Sequence, residues 1–226
     1  RIDEAPGGGV SYGNSYNPSI SADGRYVAFV STKFNLVAGD ANTVADAFRY
    51  DRDTGTIIRV STGDDGSEAN GPTYNCSIDG AGDTVAFDSS ADNLIGAGDT
   101  NGYPDCFIRE IGAGTTERVS VTSAGSQTVP FDFGYKLEGS SFAPSISANG
   151  RHVAFTSYAG NLDPSVQFPP VSSNFLPNNK LYIHNRDSGE TAGLIPVHAP
   201  DAYGDTPVLS ADGRVAALWS QSASLI

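Results

Sequence analysis

The chain carries four copies of one segment, and an internal period of this kind constrains a fold more tightly than composition does. Pro18–Ser31 reads PSISADGRYVAFVS. It returns as CSIDGAGDTVAFDS at Cys76–Ser89, as PSISANGRHVAFTS at Pro144–Ser157 and as PVLSADGRVAALWS at Pro207–Ser220. The turn glycines Gly24, Gly82, Gly150 and Gly213 lie 58, 68 and 63 residues apart. A second block follows the first three copies, at Ala47–Gly55, Cys106–Gly114 and Leu181–Gly189. A third, Arg-Val-Ser, stands at Arg59–Ser61 and Arg118–Ser120. Arg1–Ser21 aligns without a gap onto Arg59–Asp79, which places Arg1–Glu4 at a fourth-strand position.

Each unit reads as four short strands. Asp23-Gly24, Asn149-Gly150 and Asp212-Gly213 are hairpin dipeptides suited to a type I′ turn, with both residues at positive φ. The stretch after each turn, such as Tyr26–Val30, is rich in β-branched and aromatic residues, as a buried strand is. Asp53-Thr54-Gly55 marks a second hairpin, and no long stretch keeps a helical period. Four antiparallel strands per repeated unit predict an all-β fold, a β-propeller of four-stranded blades. A short-stranded β-sandwich is the alternative that so regular a repeat disfavours. The period divides the chain into 1–58, 59–117, 118–192 and a partial 193–226, about three and a half blades. Closed rings have about 4–8 blades, so the spacing fits a small four-bladed ring or a portion of a larger one. The missing third strand of the last unit favours the portion. With no methionine anywhere, the sequence is expected to be processed or part of a longer protein.

Ser-Ala-Asp-Gly-Arg-Tyr-Val-Ala-Phe at 21–29 and its three copies resemble the blade motif of TolB-like, WD-like-repeat propellers, over nearly the whole chain. Asn35–Phe48 and Asn93–Phe107 resemble the Gly-Asp-Thr-Asn-Gly-x-x-Asp blade loops of a secreted bacterial subfamily. The resemblance implies a secreted, periplasmic or cell-surface bacterial propeller serving as a protein-interaction or structural module. The family also includes the propeller domains of prolyl-oligopeptidase-like peptidases.

The formal net charge is −13. It argues against an electrostatically driven nucleic-acid binder, which needs clustered Lys and Arg, and against an anionic membrane surface. No apolar run approaches a membrane span. The acidity is local: residues 1–117 hold 18 acids and 7 bases, residues 118–226 hold 8 and 6. Part of it lies in two equivalent loops with the pattern Asp-x-Asn-x-x-x-Asp, namely Asp40, Asn42 and Asp46, and Asp99, Asn101 and Asp105. Alternating oxygen side chains in a tight turn converge, and a hard cation such as Ca²⁺ takes about 6–8 oxygens. The pattern therefore predicts Ca²⁺ at both loops, with Gly102 permitting the bend. Asx-turns, in which Asp and Asn bond their own backbone, are the alternative. In the third copy Lys180 stands in the place of Asp46 and Asp105, and no cation is expected there.

The third repeat also carries two insertions. Val119–Phe142 contains Phe131, Phe133, Tyr135 and Phe142, and the loop after Ser157 contains Phe168 and Phe175. In a four-stranded meander both connections leave on one face, together with the acidic loops. This aromatic rim is the predicted surface for a protein partner or for self-association, with a glycan as the alternative ligand. Strands one and three lie too far apart for Cys76 and Cys106 to bridge easily, which favours two buried thiols; a disulfide is the alternative, because both anomalous cysteines fall in one repeat of a chain expected to be secreted. The histidines His152, His184 and His198 lack metal-ligand spacing, and no Gly-x-Ser-x-Gly stands between a strand and a helix as a nucleophile elbow does. A lyase or glycosidase propeller is the enzymatic alternative.

Overall fold

The structure, a computed structural model, describes residues 1–4, 12–132, 137–166, 179–194 and 205–219. It is all β apart from one short 3₁₀ turn at Gly96–Gly98. The first blade is β1 (Ser15–Ile20), β2 (Tyr26–Ser31), β3 (Asp46–Asp51) and β4 (Thr56–Arg59). The second is β5 (Thr73–Ile78), β6 (Thr84–Ser89), β7 (Asp105–Glu110) and β8 (Thr115–Arg118). A small hairpin, β9 (Phe131–Asp132) and β10 (Leu137–Glu138), precedes the third blade. That blade is β11 (Ser141–Ile146), β12 (His152–Ser157), β13 (Lys180–Asn185) and β14 (Glu190–Gly193). The fourth begins with β15 (Asp205–Leu209) and β16 (Ala216–Trp219). Each four-stranded sheet is an antiparallel meander in sequence order. Consecutive first strands lie against one another, β1 on β5, β5 on β11 and β11 on β15. They form the inner edge of the array, as in the predicted propeller.

The core lies between blades. On the middle strands, Phe29 pairs with Phe48, Phe87 with Phe107 and Phe155 with Tyr182, and each pair stacks at 5.7–5.9 Å. Phe87 and Phe107 pack against Ala28, Val30 and Ala47 of the blade before, and Phe155 and Tyr182 against Ala86, Cys106 and Ile108. Large rings on one face thus fill the shallow small-residue face of the next sheet, which is how close packing is reached without voids.

The hairpins depart from the type I′ expectation. Gly24, Gly150 and Gly213 have φ of 70–74°, but Asp23, Asn149 and Asp212 do not enter the positive-φ region. The Gly24 N–H closes a four-residue turn onto the Ser21 carbonyl at 2.9 Å, repeated by Gly150 onto Ser147 and Gly213 onto Ser210. The acidic or amide residue before the glycine instead accepts hydrogen bonds. Asp23 Oδ1 takes the Ser21 hydroxyl at 2.6 Å and the Arg25 N–H at 3.0 Å. An Asp-Gly pair serves either geometry, and this side-chain brace selects the longer turn. Arg1–Glu4 forms no strand, but Ile2 packs against the Phe29–Phe48 cluster, as the aligned Val60 does at the next junction.

Candidate functional site

In each acidic loop the two aspartates come together, and they do so beside an arginine. Register sets this up: Arg59 lies opposite Phe48 and Arg118 opposite Phe107, which brings both to the loop end of their blades. Arg59 reaches Glu68 at 2.6 Å, Asp40 at 3.4 Å and Asp46 at 3.7 Å. Arg118 reaches Asp105 at 3.2 Å and Asp99 at 3.4 Å, and donates to the Gly98 carbonyl at 2.9 Å and to Gln127 Oε1 at 3.4 Å. Ser61 and Ser120 donate to Asp46 and Asp105, each at 2.6 Å.

The asparagines take the alternative role. Asn42 Oδ1 accepts the Val44 N–H and Asn101 Oδ1 the Tyr103 N–H, both at 2.9 Å, the Asx-turn bond. Their amide nitrogens face Asp46 at 3.2 Å and Asp105 at 3.0 Å. The four aspartates among the six predicted ligands therefore come together in pairs, and each asparagine oxygen accepts one backbone N–H. Asp40, Asp46 and Glu68 have carboxylate oxygens within 4.8 Å of one another, close enough to share a cation, and the Arg59 guanidinium lies beside all three.

The third blade supports the pairing from within the chain. Where Lys180 replaces the aspartate on the third strand, Gly193 replaces the arginine on the fourth, opposite Tyr182. The space is taken by Asp163, which accepts the Gly193 N–H at 2.8 Å, and by Val166, whose Cγ2 lies 2.1 Å from where a Cβ on Gly193 would stand. Both members of the ion pair are lost together. Arg59, Arg118 and Glu68 were not among the predicted site residues. The signal was the repeated Arg-Val-Ser block, with Glu68 and Gln127 at the same distance beyond it.

Burial raises the carboxyls of all four aspartates, Asp46 and Asp99 to about 6. A carboxyl whose folded pKa lies above its ordinary value holds its proton longer in the folded chain. The stability this supplies is present below about pH 4 and lost as pH climbs through about 6. Asp51, which Arg25 holds below the usual range, acts in the opposite sense only at more acid pH. The metal-free protein should therefore melt at higher temperature near pH 5 than at pH 7; calorimetry in chelator across that range reads it. A second prediction comes from the loop turn. Gly102 has φ 72° and the equivalent Thr43 has φ 61°. Thr43→Gly should stabilise by about 1 kcal/mol, the left-handed cost for an L-residue, as read by urea denaturation.

The first insertion builds a platform on the same face. The β9–β10 hairpin stands beside the loop that follows β12. Pro130 bridges to Ala159, the Gly160 N–H bonds the Val129 carbonyl at 3.0 Å, and Phe131 lies against Gly160. Phe131 and Phe142 are half-buried, and Phe142 packs on Tyr158 at 5.6 Å. Phe133, Tyr135, Phe168 and Phe175 lie outside the described residues. On the opposite face the described connections are tight hairpins.

Cys76 and Cys106 are free and buried, in the cores on opposite sides of the second blade. His184 is buried against Thr191 at 2.9 Å, His152 packs on Gly213, and His198 lies outside the described residues. A polar run along the inner strands was not predicted. Asn17 donates to Asn75 at 2.9 Å, Asn75 to Asp88 at 2.8 Å, and Asp88 also accepts the Asn75 and Ala143 N–H groups at 2.7 and 2.8 Å. Asp88 is fully buried. It ties the irregular segments of β5 and β11 together, at a position where the other copies have Val30, Thr156 and Trp219.

No family model and no curated protein matches the chain. Solved propellers share its fold. TolB from Acinetobacter baumannii aligns with a TM-score of 0.55 at 16% identity, over 94% of this chain and 39% of its own. The putative TolB from Agrobacterium tumefaciens gives 0.51 at 17% identity, over 93% and 58%. An oligogalacturonate lyase in complex with manganese gives 0.51 at 14%, over 94% and 47%. The fold is thus a TolB-like β-propeller, of which the chain holds about three and a half blades. It spans less than two thirds of each of these neighbours.

Proposed function

We propose that the protein is a binding and structural module of the bacterial cell exterior, secreted, periplasmic or surface-held, that engages a protein partner through the loop face of its blades. The observation that supports this reading best is the paired elaboration at the third blade. There the β9–β10 hairpin leans on the loop after β12, while the opposite face carries short hairpins. Long structured connections on a rigid scaffold are where binding residues gather. Val129, at the base of the hairpin, is 53% exposed and available for contact. Among the described residues no helix is long and apolar enough to cross a membrane. A glycan ligand is the second reading. It is favoured by the oligogalacturonate lyase among the structural neighbours and by the exposed Tyr74 on an inner strand, whose hydroxyl lies by Ser90.

The test uses the immobilised chain, its Val129→Asp variant and the double variant Phe131→Ser/Phe133→Ser, each exposed to bacterial envelope proteins and to a glycan array. A protein retained by the unmodified chain should be lost from both variants while their melting temperatures hold. Equal retention by all three contradicts the rim reading, and array binding without a protein partner favours the glycan.

A further inference from the structure

A cavity of about 410 Å³ opens on the loop face of the second blade. The connection that enters the blade forms one wall, at Asp64 and Asp65, and segment 93–96 the other, with Thr116 of β8 behind. The second blade stands between the first and the third. The floor is apolar: Leu94 belongs to the core and Ile95 packs against it. The walls are fixed by main-chain bonds. The Gly66 N–H reaches the Gly63 carbonyl and the Gly63 N–H the Ser67 carbonyl, both at 2.9 Å. Asn93 clasps the same connection, donating to the Glu68 carbonyl at 2.8 Å and accepting the Asn70 N–H at 3.0 Å. The cavity is therefore preformed, as ligand sites commonly are.

Asp64 and Asp65 are both exposed. Asp64 accepts the Thr116 N–H at 2.6 Å and Asp65 the Ser67 N–H at 2.8 Å. Among the described residues the one ion pair to this wall is from Arg109, 3.9 Å from Asp64. The same Arg109 nitrogen donates to the Gly63 carbonyl at 3.1 Å and to the Thr116 hydroxyl at 3.0 Å. The third blade shows that the turn does not call for charge. There Ser123 and Ala124 stand in the places of Asp64 and Asp65. Ser123 Oγ accepts the Thr191 N–H at 3.0 Å, as Asp64 accepts that of Thr116. The Gly125 N–H closes the same turn onto Thr122 at 2.8 Å. Asp163 replaces Ile95, and Val166 packs on Gly193. Two carboxylates above an apolar floor are thus a feature of the second blade that the third lacks, beyond what the turn needs.

We propose that this cavity receives a lysine or arginine side chain of a protein partner, its aliphatic stem over Leu94 and Ile95 and its charged head against Asp64 and Asp65. Such side chains lay an apolar stem on apolar surface and keep the cation at a polar edge, and the cavity offers both parts. The proposal rests on the loop-face partner proposed above and adds the chemistry of one contact.

The probes are N-acetyl-lysine methylamide and N-acetyl-arginine methylamide, titrated into the ¹⁵N-labelled chain at neutral pH. N-acetyl-norleucine methylamide supplies the stem without the charge, and cadaverine is a free diamine. Amide signals of residues 64–66 and 94–96 should shift and saturate with the two cationic probes and stay still with norleucine. Asp64→Ser/Asp65→Ala copies the third blade. It should bind about tenfold more weakly, as expected for two exposed ion pairs lost, while its melting temperature holds. Asp53→Asn, an exposed acid on the opposite face, should bind like the unmodified chain. Absent shifts, equal shifts with norleucine, or undiminished binding by the double variant overturns the proposal. Cadaverine binding more tightly than either capped amino acid also overturns it, in favour of a small amine. An envelope protein lost from Val129→Asp but kept by Asp64→Ser/Asp65→Ala overturns the cavity contact and leaves the loop-face reading standing. Saturable probe binding with no protein retained counts against the loop-face reading instead.

Discussion

Replacing Arg118 by leucine should lower stability by about 3–5 kcal/mol, because it strands buried carboxylates without their counter-charge. The size follows from burial: the side chains of Arg118, Asp99 and Asp105 are 7%, 4% and 0% exposed, so solvent does little to screen them. Leucine also frees the Gly98 carbonyl that the guanidinium holds. Two companions separate this cause from general disruption. Arg118→Lys should recover only part of the loss, since a point ammonium cannot fork between Asp105 and Gly98. Asp105→Asn placed on Arg118→Leu should recover another part, because removing both charges is milder than orphaning one. Urea denaturation of the four proteins measures all of it; a double variant no better than Arg118→Leu contradicts the pairing.

Gly82→Ala should be the second large effect, about 2–4 kcal/mol. About 1 kcal/mol of this is the left-handed backbone and the rest is overpacking. Gly82 has φ 79°, and a Cβ there would stand 2.1 Å from the Tyr26 ring. The ring is not free to retreat: Arg49 and Arg25 lie over it at 4.4 and 4.8 Å, and Arg49 donates to the Gly82 carbonyl at 2.6 Å. Gly24 is the internal control. Its φ is 74°, but its nearest non-local atom would be 3.6 Å from a Cβ. Gly24→Ala should therefore cost only the backbone part, about 1 kcal/mol. Equal losses at the two glycines would remove the blade-junction explanation.

The blades were legible because each copy repeats the same strand pattern, so the hairpins at Gly24, Gly150 and Gly213 fall at matching places. The turn geometry was not, because Asp-Gly fits two turns and the choice rests on a Ser21–Asp23 side-chain bond. The convergence of Asp40 with Asp46 and of Asp99 with Asp105 could be read from spacing. The arginine at its centre could not, because Arg59 and Arg118 stand a hairpin away and reach the loops only through the β3–β4 and β7–β8 registers. Asp88 was hidden for the opposite reason: it departs from the repeat, and its role depends on the neighbouring blade.

The central proposal is that arginine, rather than Ca²⁺, is the cation that balances the two acidic loops. The most direct measurement is the melting temperature at neutral pH in chelator and in excess Ca²⁺, for the unmodified chain and for Asp40→Asn and Asp99→Asn. If the guanidinium groups of Arg59 and Arg118 occupy the loops, the unmodified chain melts at the same temperature in both buffers. A Ca²⁺-dependent rise that saturates at two equivalents, and that each substitution cuts in half, would contradict it.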